Sequence, residues 1–527
     1  MDDVPGHRAG AVVSRRALLG GAAALTGAAV VLGAPWVQAA DAAAPLPDPG
    51  LFALGVASGD PTPDGVVLWT RLAPDPVAPD GGGGMPGRPV VVEWEVAADP
   101  GFRHPIARGT VVARPEDAHA VHVEVAGLRP AAEHFYRFRV GTETSPVGRT
   151  RTAPAPGAPH ERLAFAVASC QNRPDGYYNA YAAMARDDLD LVVFLGDYIY
   201  EAPGEGVLGR EHLPTTEAAS LADYRVRHGL YRTDPDLQAA HAAFAWAVTL
   251  DDHDVENNWA GDVSQRDREA DRDPVVFRAR RADAYRAFWE HMPLRRAQRP
   301  RGPEMAMHRR LTFGDLLDLH LLDTRRHRSD QDRARAGDPS RTLLGAEQRA
   351  WLWQGLATPR GRWTTLAQQV FFSPRDLAPG SGTAIDEDAW DDYAAERDAL
   401  RDHLVAARTP NPVILTGDVH AHHACDVPAD SRDPASRPVA TELVTTSISS
   451  GGDGAPHGDG DADLLADNPH IHLVDRRRGY VRNTVTPRGW RADFRVVDTV
   501  TTRGAPASTA ATVVVPEGGG GLRADGV

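Results

Sequence analysis

VVFLGDYIYE, residues 192–201, decides how the rest of the chain is read. Val192 to Leu195 are β-favouring or large and apolar, as in a strand covered on both faces. Gly196 lets the backbone turn, and Asp197 leaves the strand at its carboxyl end with Tyr200 three residues on. In open α/β sheets that edge is where ligands bind. Taken alone, Asp197 could equally cap the following turn. The question is whether other strands end the same way.

Three others do. RLAFAVASC runs out at Cys170, FAWAVTLDDHD at Asp252 and His253, and PVILTGDVH at Asp418 and His420. YYNAYAAMARDD has helical spacing between the first two strands, so a βαβ start is expected. LLDLHLLDTR and WTTLAQQVFF read as further strands of the same kind. This pattern predicts a layered α/β domain over residues 160–503 with its chemistry along one edge. One such terminus is unremarkable, but four alternating with helices point to a metal site. Asp197 can share its two oxygens between two cations, with Asp252, Asp418 and His420 as further ligands. Two cations a few ångströms apart would clamp a phosphoryl group and turn water into hydroxide.

The remaining chain sets the limits. At 527 residues more than one domain is expected. Residues 51–153 alternate in strand fashion (GVVLWTRL, VVVEWEVA, GTVVARP, HAVHVEVAGL, HFYRFRVG), which predicts a small antiparallel β-sandwich domain. The Gly-rich end, residues 504–527, reads as a flexible tail. A net charge of −15 disfavours a stable nucleic-acid complex. All 57 basic residues are arginine. That excludes Schiff-base chemistry, a lysine general base and a Walker-type phosphate loop.

Near the N-terminus, Arg15 and Arg16 precede a weakly apolar Gly/Ala-rich run ending in small residues. This reads as a twin-arginine signal peptide over residues 1–40 and a linker over 41–50. The twin-arginine translocase is then a partner during export, and the mature chain carries no membrane span. Without heptads or an apolar stripe, a monomer is expected. Cys170 and Cys425 are the only cysteines, and in an exported protein a bond between them stays open.

Nine segments, taken in order from residue 51 to about 500, resemble one family. They are GVASGDPTPDGVVLWTRL, ASCQ, LGDYIYE, LDDHDVENNWA, LDTRRHRSDQ, LAQQVFF, TGDVHAHH, TTSISSGG and NPHIHLVDRRRGYVRNTVTPRGWRADFRVV. Together they are similar to the PhoD-like alkaline phosphatase/phosphodiesterase family of calcineurin-like metallophosphoesterases. The resemblance implies a centre of Fe3+ and Ca2+. Cys170, Asp197, Tyr200 and His420 would hold the iron. Asp197 would be shared with calcium, which Asp252, Asp418 and either Asn257 or Asn258 would complete. It implies that His253 contacts phosphate and that Cys425 is an unpaired thiol. His422 and His423 fall outside the implied ligand set. The activity implied is hydrolysis of phosphate mono- and diesters for phosphate scavenging outside the cytoplasm. A diesterase of phospholipase D or nuclease type, and a phosphate-binding surface module without turnover, are the competing expectations.

Overall fold

The computed structural model describes residues 50–204, 206, 208–265, 270–380, 382–519 and 521–524. The twin-arginine pair, the signal peptide over 1–40 and all but the last residue of the 41–50 linker lie outside the described residues. None of the described helices is long and apolar enough to cross a membrane.

Leu191–Phe194, Leu163–Ala168 and Ala245–Val248 form a run of parallel strands, every residue buried, at the middle of a ten-stranded sheet. Strands that short stay put because both faces are covered. On one face, Phe194, Trp246 and Ala166 pack against Tyr181, Met184, Leu237 and Phe288 of the helices that connect the strands. On the other, Phe165, Val193 and Ala247 share a core with Leu319, Trp363, Val413 and Leu443. These last four belong to a seven-stranded sheet whose strands Leu317–Leu321, Trp363–Ala367, Pro412–Thr416 and Asp433–Val444 run parallel. Its other face carries Leu366 and Ile414 against Leu352, Leu356 and Leu400 of two further helices. Helix, sheet, sheet and helix are therefore stacked in layers, as amphipathic elements require. Helix starts are marked in the sequence: Ser220 and Asp223 close a capping box, and Asp234 and Asp273 cap helices that begin at Pro235 and Pro274.

The N-terminal segment differs from expectation. Val90–Ala97, Pro105–Ala113, Glu133–Val140 and two short strands do form a separate five-stranded sheet. Its partner face, however, belongs to the large sheet. Val56–Thr62 pairs in parallel with Ala245–Val248 through Ser58 and Gly59, then with Gly65–Arg71, which pairs with Ala120–Ala126. A sandwich core exists, with Val66, Leu68 and Val123 against Val92, Tyr136 and Phe138. One of its two sheets is shared with the rest of the protein, so residues 51–153 are not a self-contained β-sandwich. VASGDPT hid this strand because Gly, Asp and Pro argue for a turn. The structure explains them: the register shifts between Gly59 and Thr62, and a Cβ at Gly59 would lie 2.4 Å from the Pro293 carbonyl.

The expected flexible tail over 504–527 is also corrected. Ala507–Pro516 pairs along Gly489–Val497, and Arg523–Ala524 adds a short edge strand. Period-two alternation in ATVVV, with Val513 and Val515 buried, outweighs the neighbouring glycines.

Buried histidines give the fold a pH dependence. Burial holds the imidazoles of His122, His320 and His422 down at about 4, and those of His228 and His423 at about 3. Folded, these rings stay neutral through mild acid, whereas in the unfolded chain they charge below about pH 6.5. The unfolded state then binds more protons, so stability falls as pH drops from about 6.5 towards 4. Each ring contributes up to about 1.4 kcal/mol per pH unit in that window. The melting temperature is expected to be flat with respect to these groups above pH 7 and several degrees lower at pH 5. A midpoint that rises on acidification would contradict this origin.

Candidate metal centre

The parallel strands end together. Cys170, Asp197, Asp251 and Asp252 follow the three central strands of the large sheet, and Asp418 and His420 follow Pro412–Thr416 of the facing sheet. The backbone at these termini is strained in a consistent way. Cys170, Asp197, Asp418 and His420 all have positive φ, at 59°, 58°, 63° and 53°. Left-handed backbone is costly for a residue with a side chain and clusters at functional sites. Gly196 makes the Asp197 turn possible: its φ is +103°, and a Cβ there would meet the Asp251 Cβ at 2.4 Å. Asp254 then fixes the loop by accepting backbone N–H bonds from Asp197, Tyr198, Ile199 and Asp251 at 2.9–3.3 Å.

Potential ligand atoms of Cys170, Asp197 and His420 lie within 4.8 Å of one another. Tyr200 joins them, its hydroxyl 3.0 Å from Asp197 Oδ2 and 3.1 Å from His420 Nε2. Asp197 belongs as well to a second group with Asp251 and Asp252. Its Oδ1 is buried and accepts no hydrogen bond among the described residues, and the same holds for Oδ2 of Asp251. A buried carboxylate oxygen without a partner is costly, and a shared cation would satisfy it.

Electrostatics point the same way. Burial pushes the Asp197 carboxyl, Cys170 thiol and Tyr200 phenol well above their ordinary pKa values, and each anion makes the next harder to form. Positive charge is needed before they can ligate as anions. Burial and the Arg478 guanidinium hold His420 at about 3, so its ring is a neutral donor. The donor set therefore fits bound cations.

Arg325 supplies positive charge to the neighbouring aspartates. Fully buried, it reaches Asp251 at 2.5 Å, Asp388 at 2.6 Å, Asp252 at 3.3 Å and Asp418 at 3.4 Å. Against the cost of burial, Arg325 and His253 keep Asp252 below the ordinary carboxylate range. Asp252 Oδ2 also accepts the Asn258 N–H at 2.8 Å. Asn257 donates its backbone N–H to Glu201 Oε1 at 2.8 Å. His253 gives Nδ1 to Glu201 Oε2 at 2.8 Å, and its ring centroid lies 4.1 Å from that of Tyr200.

Asp251, Arg325, Asp388 and Glu201 were not singled out from sequence. LDDHD offers two adjacent aspartates, and LDTRRHRSDQ and LGDYIYE carry Arg325 and Glu201 in plain view, but ion-pair partners distant in sequence leave no local pattern. Neighbouring residues of the same types lie elsewhere. Tyr198 turns into the core and meets His241 at 2.9 Å, His422 bonds the Arg495 carbonyl, and His423 packs against Phe371. Both cysteines are free and buried, so the Cys170–Cys425 bond left open by the sequence is not formed. A further acidic trio, Glu217, Glu256 and Asp271, surrounds Arg280 at 2.6–3.0 Å and already has its cation.

Comparison with known proteins shows the family. A family model described as PhoD-like phosphatase matches residues 165–494, and one for the N-terminal domain of PhoD-like phosphatases matches residues 38–154. The chain is 46% identical over 486 residues to alkaline phosphatase D of Bacillus subtilis, covering 90% of this chain and 82% of the relative. The solved structure of a protein described as PhoD is similar with a TM-score of 0.88 and 45% identity, over 92% of this chain and 94% of that one.

Proposed function

This chain belongs to the PhoD-like phosphatase family, and from that premise we propose an exported phosphatase and phosphodiesterase that works through an iron–calcium centre. As a family member it is a metal-dependent phosphoesterase whose substrates are phosphate esters. Cys170, Asp197, Tyr200 and His420 would hold Fe3+. Asp197, Asp252 and Asp418 would hold Ca2+, with an oxygen of Asn257 or Asn258. The layered sheets are those of a calcineurin-like metallophosphoesterase.

One observation carries this reading: thiol, phenol, imidazole and carboxylate converge in a buried site, and Asp197 keeps one oxygen unpartnered beside the aspartates that follow the next strand. Thiolate and phenolate favour a trivalent metal, whereas calcium prefers carboxylate and carbonyl oxygen. When bound, the cations supply Lewis-acid charge and lower the pKa of water. The protein's own groups do the rest. Glu201 fixes His253 through Nδ1 and leaves Nε2 for a phosphoryl oxygen of the substrate. Arg325 holds Asp251, Asp252 and Asp418 in register across the two sheets. The C-terminal strand lies four places along the sheet from the strand that delivers Asp197. The diesterase part of the proposal rests on the family resemblance of the sequence. Twin-arginine export, phosphate scavenging and a monomeric state belong to the same proposal and rest on the sequence.

Brief EGTA treatment is expected to abolish hydrolysis of both p-nitrophenyl phosphate and bis-p-nitrophenyl phosphate, and calcium alone to restore both. Restoration by zinc or magnesium but not calcium would overturn the calcium assignment. Hydrolysis confined to the monoester would overturn the diesterase reading.

A further inference from the structure

We propose that Ser450 is a positioning residue of the metal centre: its hydroxyl donates to the Tyr200 oxygen and holds the phenol in ligating geometry. The inference rests on the ligand assignment above. Ser450 lies in TTSISSGG, residues 445–452, to which the catalytic reading gives no other role.

Its side chain is buried, with Oγ 2.7 Å from the Tyr200 hydroxyl oxygen and 2.8 Å from the Cys170 carbonyl. Oγ also accepts the Asn172 N–H at 3.0 Å. A hydroxyl has one proton, so it serves one of the two oxygens at a time. The Cys170 carbonyl does not depend on it, because the Ile448 N–H reaches that oxygen at 3.1 Å. A phenolate, by contrast, is an anion, and hydrogen bonds to ions are roughly twice as strong as neutral ones. Once Tyr200 ligates, the proton therefore belongs on Tyr200. The other two partners of the phenol, Asp197 Oδ2 and His420 Nε2, are ligands themselves. Among the described hydrogen bonds, that of Ser450 is the one the Tyr200 hydroxyl makes outside the ligand set.

The rest of the loop anchors this serine. Ser447 Oγ donates to the Ser450 carbonyl at 2.8 Å. Arg478 donates from one nitrogen to Ser447 Oγ at 2.9 Å and to the His420 carbonyl at 2.7 Å. One network thus holds the two strained ligand turns, Cys170 and His420, together with Tyr200. Strained backbone persists only where the surroundings over-determine it.

The test uses Ser450→Ala in the full chain, with Ser449→Ala as control. Ser449 is on the same loop, but its hydroxyl donates to the Asn172 carbonyl at 2.8 Å and does not touch Tyr200. Metal retained against graded chelator, and the visible absorption band, are read for each. Ser450→Ala is expected to hold iron about 10- to 100-fold more weakly. Its band should move to longer wavelength, because the phenolate loses the bond that lowers its electron energy. Ser449→Ala should match wild type, and Ser450→Thr, which keeps the hydroxyl, should regain retention if Ser450→Ala folds poorly. Wild-type retention and spectrum in Ser450→Ala would overturn the proposal, as would an equal loss in Ser449→Ala. If wild type shows no visible band, the ferric assignment fails separately, and unchanged metal retention in Ser450→Ala then overturns the serine's role.

Discussion

Asp197→Asn is expected to lower turnover by at least about 100-fold on mono- and diesters alike, and to leave the protein short of both metals. The substitution preserves volume and changes only what a carboxylate can do. Asp197 is the one residue common to the two ligand groups, one with Cys170 and His420 and the other with Asp251 and Asp252. An amide removes the negative charge from that junction and replaces one oxygen with a donor that repels cations. Folding should be spared, because Asp254 bonds the backbone N–H of residue 197 and not its side chain. The metal-free fold should gain in stability: burial and Asp252 hold this carboxyl well above its ordinary pKa, so a neutral group suits it better. Elemental analysis beside steady-state kinetics checks both halves. Normal metal content and near-normal turnover would reduce Asp197 to a turn residue.

Much of this was legible in the sequence because strand and ligand are neighbours there. Val192–Leu195 announces a buried strand, and the next break in apolarity is Asp197 itself. The same local contrast exposes Cys170, Asp252, Asp418 and His420. Tyr200 needed the family resemblance, since nothing local separates it from Tyr198. The structure gives the physical difference: Tyr198 reaches His241 and Arg232 in the core, and Tyr200 reaches Asp197, His420 and Ser450. The N-terminal strand Val56–Thr62 was missed because a bulge needs the residues that elsewhere signal a turn. The C-terminal strand was missed because its glycine-rich flank outweighed five alternating residues. Arg325 was invisible for another reason. Its four carboxylate partners come from three segments separated by 63 residues or more from it, apart in sequence and joined only by folding.

Visible absorption and iron content of purified wild type beside Tyr200→Phe test the central claim most directly. A phenolate bound to ferric iron gives a charge-transfer band, so wild type should be coloured and carry about one iron per chain. Tyr200→Phe retains the ring, its packing against His253 and the surrounding fold, and removes only the oxygen donor. The band should vanish or collapse, iron retention should fall, and the melting temperature of the metal-free protein should hold. Tyr198→Phe, whose hydroxyl bonds His241 in the core, should remain coloured. A colourless, iron-free and fully active wild type, or a Tyr200→Phe protein with an unchanged band, would contradict the account.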